Sequence, residues 1–271
     1  MGLGVLFNIP SLQSQNQLTK TNSSLQNTLT QLTTGSRINS GADDPAGLQI
    51  SNLLNASVAA LNQSVNNASN GIGLAQVADG ALSQVGTLLN TAVTLATEAA
   101  NGGLSTQQLN ALSTEYNNIL GEIGNIGTNT NFNGTSVFSG STTSIFLTDL
   151  TTSYTIGVTT TVLDTTNLGL TTTNLATSGN PQTILQQINS AIVNVGSLRG
   201  NIGAAISQLQ DGQNVDTVEA QNTTSALNTI TAANIPQVVS NLTKYSVLDQ
   251  TGIYSLTQAN SLPQALLKLL G

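Results

Sequence analysis

The chain reads as a mainly α-helical protein. The expected architecture is a long antiparallel helical bundle or coiled coil formed by the N- and C-terminal segments, with a small β-hairpin region in the middle. Three observations carry that reading. Apolar residues step by four and three along Leu54, Val58, Leu61, Val65, Ala68, Ile72 and Ala75, and again along Ile184, Ile188, Ala191, Val195, Leu198, Ile202, Ala205 and Leu209. Such stepping draws one seam along a helix, and a seam has to be buried against another helix. Aromatic residues make up only 3% of 271 residues and Trp is absent, so the core is thin and aliphatic, as a bundle requires. The rhythm lapses over about 131–180, where Thr, Asn and Gly concentrate.

The elements follow in order. Residues 11–34 form a first helix, with Leu18, Leu25 and Leu32 seven apart, Leu29 between them, and Gly35 as its stop. Asp44 before Pro45 is an acidic N-cap followed by Pro at the first helical position. The second helix runs from Pro45 to about Ala100, its seam continuing through Leu82, Val85, Leu89 and Ala92. Gly71, Gly73, Gly80 and Gly86 interrupt it. Each costs about 1 kcal/mol relative to Ala, so these glycines are expected to let neighbouring helices approach closely. Asn101-Gly102-Gly103 turns the chain, and Ser105 with Gln108 fits a capping box for a third helix through Leu109, Tyr116, Ile119 and Ile126. Alternation at Tyr154, Ile156 and Val158 marks a hairpin or small sheet. Asn180-Pro181 repeats the cap signal and opens a helix to about Thr231. Pro236 breaks or kinks it, and a last helix covers about 237–270 with Pro263 near its end.

Composition narrows the function. Charged residues are 6%, against roughly 25% in ordinary soluble proteins. The five basic residues, Lys20, Arg37, Arg199, Lys244 and Lys268, are scattered through a chain of net charge -7. Nucleic acid is therefore not an expected partner, and neither is an anionic membrane surface. No run reaches the roughly 18 apolar residues of a spanning helix, so no membrane insertion is expected. The first fifteen residues lack a basic stretch and make a poor secretory signal. With no Cys and no His, thiol chemistry, Cys/His metal sites and the commonest general base are gone together. No enzyme activity, cofactor or metal is expected. Asp43-Asp44 is read as a helix cap, with Arg37 expected to pair with that acidic turn. The glycines of NGIGLAQVADG lack the Lys and the strand–loop setting of a phosphate-binding loop.

Several segments resemble bacterial flagellin. TLTQLTTGSRINSGADDPAGLQIS (28–51), NNASNGIGLAQVADGALSQV (66–85) and NFNGTSVFSG (131–140) are similar to its N-terminal region. VGSLRGNIGAAISQLQ (195–210) and VSNLTKYSVLDQTGIYSLTQANSLPQALLKLL (239–270) are similar to its C-terminal region. The resemblance implies a secreted, extracellular filament subunit that polymerises with itself for swimming motility. It also implies unfolded type III export, an export chaperone, and junction and cap proteins as partners.

On this resemblance, residues 1–40 and 235–271 form the inner terminal coiled-coil domain and 41–234 the middle helical rod with its hairpin region at about 131–180. No large outer domain is expected. The inner assembly seam is Leu18, Leu25, Leu29, Leu32, Leu242, Leu256, Leu262, Leu266, Leu267 and Leu270; the junction loop holds Arg37, Asp43, Asp44, Pro45 and Pro236. The rod seam is the stepped set above. In the family, an innate-receptor epitope carries two arginines at positions that here are Thr91 and Val93, and the acidic stretch before the last helix is replaced by Ala232, Ala233 and Asn234. The alternatives are a hook–filament junction protein, which shares the terminal motifs, and a secreted helical adhesin or translocator.

Overall fold

Local chemistry sets where each helix starts and stops. In the computed structural model, which describes residues 8–148, 152–172, 175 and 181–270 (side chains of Pro181 and 262–270 excepted), α1 spans Ile9–Thr34. The Asn8 side chain accepts from the Ser11 amide at 3.1 Å, and Gly35 closes the helix in the left-handed region at φ 68°. Helix α2 spans Pro45–Ala99, and Asp44 Oδ1 accepts from the Gly47 amide at 2.8 Å as its cap. Helix α3, Thr106–Asn129, starts from the full Ser105–Gln108 capping box. Helix α4 is Pro181–Thr231 and α5 is Ile235–Leu270; the cap expected at Asn180 lies outside the described residues.

Two starts differ from the sequence reading. Helices α1 and α5 each begin two residues early, because Pro10 and Pro236 sit in a first turn, where no intrahelical amide donor is needed. Pro236 therefore lies in the first turn of α5, while the break itself falls at Ala232–Asn234. Asn234 Oδ1 accepts from the Gln237 amide at 3.3 Å.

Between α3 and α4 the described residues hold two antiparallel hairpins. Strands β1 (Asn131–Phe132) and β2 (Thr135–Ser136) flank a two-residue turn, Asn133 at φ 49° and Gly134 at φ 78°, the signs a primed turn demands. Strands β3 (Thr142–Thr148) and β4 (Ser153–Thr159) pair from Thr142↔Thr159 to Thr148↔Ser153.

The chain divides into two compact units, Met1–Asn55 with Thr223–Gly271, and Ala56–Asn222. In the second, α2 and α4 run antiparallel. Arg199 pairs with Asp79 at 2.8 Å and Gln213 donates to Ser69 Oγ at 2.8 Å. A leucyl methyl of Leu209 lies against Gly71. Along α2 the buried stripe steps by three and four through Leu61, Ser64, Ala68, Gly71, Ala75, Ala78, Leu82, Val85, Leu89 and Ala92. Val58, Val65 and Ile72 flank it half-buried. From α4, Ile184, Ile188, Val195, Ile202 and Leu209 are buried and Leu198 half-buried. Helix α3 adds Tyr116, Ile119, Leu120 and Ile123.

The β3–β4 hairpin packs on this core through Leu147, Ile156 and Val158. Polar groups hold it as well. The Ser64 hydroxyl donates to the buried Asp216 carboxylate and accepts the Thr148 amide at 3.2 Å, and the Asn67 amide donates to the Phe146 carbonyl at 3.0 Å. These bonds fix the hairpin's register on α2, since a one-residue slip would turn Leu147 outward.

The helix glycines divide by what they touch. A Cβ at Gly71 would meet Ile145 at 2.7 Å, so β3 approaches there because no side chain intervenes; Gly80 and Gly86 face open space. Close approach thus explains Gly71 and does not explain the other two. The tightest contact is at Gly127, where a Cβ would stand 1.8 Å from the Leu163 carbonyl oxygen. Gly127→Ala is expected to lose roughly 1–3 kcal/mol through overpacking against backbone. Gly86→Ala is expected to gain up to about 1 kcal/mol from helix propensity. Thermal unfolding of the two variants checks both signs.

Candidate assembly surface

The first unit is built on one helix pair. Helices α1 and α5 pack antiparallel: Asn8 donates to the Ala259 carbonyl at 2.9 Å, Ser11 to Asn260 at 2.7 Å, and Leu18 lies against Gly252. The α1 face turned from solvent runs Ser11, Ser14, Leu18, Thr21, Leu25, Thr28, Leu32, again by threes and fours. On α5 it runs Val238, Leu242, Tyr245, Asp249, Gly252, Leu256, Ala259. This is a heptad seam. Leu18, Leu25, Leu32, Leu242 and Leu256 are half-buried in it. Leu29 stands exposed, and the buried Thr28 occupies the seam beside it. Stepping by residue position finds Thr21, Thr28 and Gly252; a search for leucines misses them. Helix α5 continues through Leu262, Leu266, Leu267 and Leu270, whose side chains lie outside the described residues.

A pair of helices covers one stripe of each and leaves the rest bare. Ile9, Leu12, Leu29, Ile50 and Leu53 are exposed on the N-terminal side of this unit, with Leu53 at 63%. Ile235, Val239, Val247, Leu248, Ile253 and Tyr254 are exposed on α5, with Tyr254 at 77%. Among the described residues the buried apolar set of this unit is only Ile38, Val238 and Ala259, with Leu54 half-buried. Exposed apolar side chains this numerous on one small unit make it the candidate surface for contact with another molecule.

The turn after α1 is tied to the link between α4 and α5. Ser36 and Ala232 form an antiparallel bridge; the Arg37 amide donates to the Thr231 carbonyl at 2.7 Å and the Ala233 amide to the Gly35 carbonyl at 2.9 Å. The Arg37 guanidinium donates to the Ile230 carbonyl at 2.8 Å. It therefore caps the C-terminus of α4, where a cation is favoured, and does not join the acidic turn. Asp43 has its own work. Its Oδ2 accepts the Asn39 amide at 3.0 Å and the Ser40 amide at 2.8 Å, and these bonds hold its carboxyl below the usual range. Because the shift is downward, the anchoring is fully in place above the ordinary carboxylate range and is lost only as pH falls through the lowered value beneath that range. Ala232 and Ala233 serve here through backbone alone.

Thr91 is exposed on α2 and donates to the Thr87 carbonyl at 3.2 Å. Val93 is half-buried against the core of the second unit. Neither offers a cation or a long donor to a partner.

Comparison with known proteins places the chain by its sequence. Residues 5–143 match the family model of the bacterial flagellin N-terminal helical region and 185–270 that of the C-terminal helical region. The flagellin of Listeria monocytogenes is 30% identical over 97% of this chain and 98% of its own length. The B-type flagellin of Pseudomonas aeruginosa is 43% identical over 52% of this chain and 29% of its own. A crystal structure of Bacillus cereus flagellin, 28% identical, covers 60% of this chain and 94% of that one at a TM-score of 0.49. With both terminal regions matched and one relative aligned end to end, the chain belongs to the bacterial flagellin family.

Proposed function

We propose that this chain is the structural subunit of an extracellular bacterial flagellar filament, a helical homopolymer that serves swimming motility. The observation that carries the reading is the bare apolar flank of α1 and α5. Burying it against copies of the same chain stabilises a polymer at roughly 25 cal/mol per Å² of apolar surface. A contact between unlike patches that does not close on itself extends indefinitely, which gives a filament. Nothing in this role requires chemistry, and the family is a structural one. Among the described residues no helix is long and apolar enough to cross a membrane.

The finer partners rest on the family resemblance. An export chaperone is expected on the C-terminal segment, whose run Ser261-Leu262-Pro263-Gln264-Ala265-Leu266-Leu267 needs cover before assembly. Junction and cap proteins are expected at the two ends of the polymer. The alternative of a hook–filament junction protein predicts short rings or monomers where a filament subunit predicts long tubes.

Three outcomes test this function. Deleting Leu262–Leu270 is expected to abolish elongation onto seeds, seen by electron microscopy, without lowering the melting temperature of the second unit; normal filaments from the truncated chain would contradict the assigned role. With charged groups so sparse, subunit contacts rely on aliphatic packing and on amide and hydroxyl hydrogen bonds, which salt screens little. Sedimented polymer is therefore expected to be nearly constant from low to high ionic strength, and a steep loss would contradict that. Thr91 and Val93 in place of arginines predict weak or no signalling through the animal flagellin receptor. A potent response in reporter cells would overturn that expectation.

A further inference from the structure

The sequence contains three Asn-Gly pairs, Asn70-Gly71, Asn101-Gly102 and Asn133-Gly134. The following glycine lets its backbone nitrogen reach the asparagine side chain, because no Cβ blocks the approach. The fold sets these three identical dipeptides in three different backbone states. Asn70 lies inside α2, and a buried Gly71 follows it, pressed between Ile145 and Leu209. Asn133 is held at φ 49° in a two-residue turn whose flanks are paired, Phe132↔Thr135 and Asn131↔Ser136. Asn101 lies just past the last residue of α2, exposed, in the open connection before Ser105.

From these differences we infer that Asn101 is a site of spontaneous deamidation, through a succinimide closed by the Gly102 backbone nitrogen. The Asn101 side chain reaches forward along the chain: its Oδ1 lies 3.8 Å from where a Gly103 Cβ would stand. Gly102 has open space around it, and its amide makes no backbone hydrogen bond outside the helices and strands of the described residues. The Asn101 amide itself is held by the Glu98 carbonyl at 3.0 Å, which fixes the residue from its N-terminal side.

The step balances with water alone. The Gly102 amide loses its proton and its nitrogen bonds to Cγ of Asn101. The Cγ–Nδ2 bond breaks and the nitrogen leaves as ammonia, carrying the proton. Water then opens the five-membered imide at one of its two carbonyls. Opening at the backbone carbonyl gives an isoaspartyl linkage running through the side chain; opening at Cγ gives aspartate. Either product puts a carboxylate beyond the C-terminal end of α2, where the helix dipole disfavours it and Glu98 already stands. The isoaspartyl form also adds a backbone atom to the α2–α3 connection.

The test is incubation of the full-length chain in mildly alkaline buffer, followed by peptide mass mapping and by methyl transfer from S-adenosylmethionine with an isoaspartyl methyltransferase as probe. Conversion at Asn101 is expected to run at least about tenfold faster than at Asn70, whose reaction needs local opening of a buried helix. It is also expected to outpace Asn133, and Gly102→Ala is expected to slow it by a similar factor without changing the far-ultraviolet spectrum. Asn133→Ser is expected to leave the Asn101 rate unchanged. Conversion led by Asn70 or Asn133, or a rate at Asn101 indifferent to Gly102→Ala, would overturn the assignment.

Discussion

A helix can hide one stripe of its surface against one neighbour, and the first unit offers α1 and α5 little beyond each other. That geometric limit governs the rest. In the second unit, α2, α3, α4 and the β3–β4 hairpin surround one aliphatic core, so Leu82, Leu89, Ile188 and Leu209 are fully buried within the same chain. In the first, the shared seam is lined by Thr21, Thr28 and Gly252 as much as by leucine, and several large apolar side chains, Leu29, Leu53 and Tyr254 among them, stand exposed. On the proposed filament role, such a unit would be stabilised further by neighbouring copies, and its ordering would be coupled to assembly.

The near absence of charge is made workable by hydroxyls that turn inward on their own helices. Thr19 donates to Gln15, Ser23 to Thr19, Thr30 to Gln26 and Thr34 to Thr30, each to the carbonyl four residues back. Such bonds satisfy the side chain without a partner molecule and leave its methyl or methylene outward. Between its exposed apolar side chains the surface of α1 then carries satisfied hydroxyls in place of charges, which suits packing against like surfaces. The ion pair between Arg199 and Asp79 stands among many amide and hydroxyl contacts. It holds the Asp79 carboxyl below its usual range.

What the sequence displayed and what it hid divide by range. Helix ends were legible because caps are local: Gly35, Asp44-Pro45 and the Ser105–Gln108 box each act within one turn. The seams were legible because period depends on position in a helix. Leu29, expected in the assembly seam, is exposed in the single chain while Thr28 beside it is buried, a difference set by position in the heptad. The partner of Arg37 was hidden because the Ile230 carbonyl lies far along the chain and offers no side-chain signal. The Ser64–Asp216 contact was hidden for the same reason: a serine in an apolar stripe looks like a lapse until the Thr148 amide arrives opposite it. Gly80 and Gly86 face open space and have no packing reason in the fold of one chain.

The central claim is that α1 and α5 are completed only by other copies. Amide hydrogen exchange on the isolated chain and on the polymer tests it most directly. The account predicts fast exchange along α1 and α5 in the isolated chain beside strong protection of α2 from Leu61 to Ala99, and protection of all three in the polymer. Slow exchange of α1 and α5 in the isolated chain, unchanged on polymerisation, would contradict it.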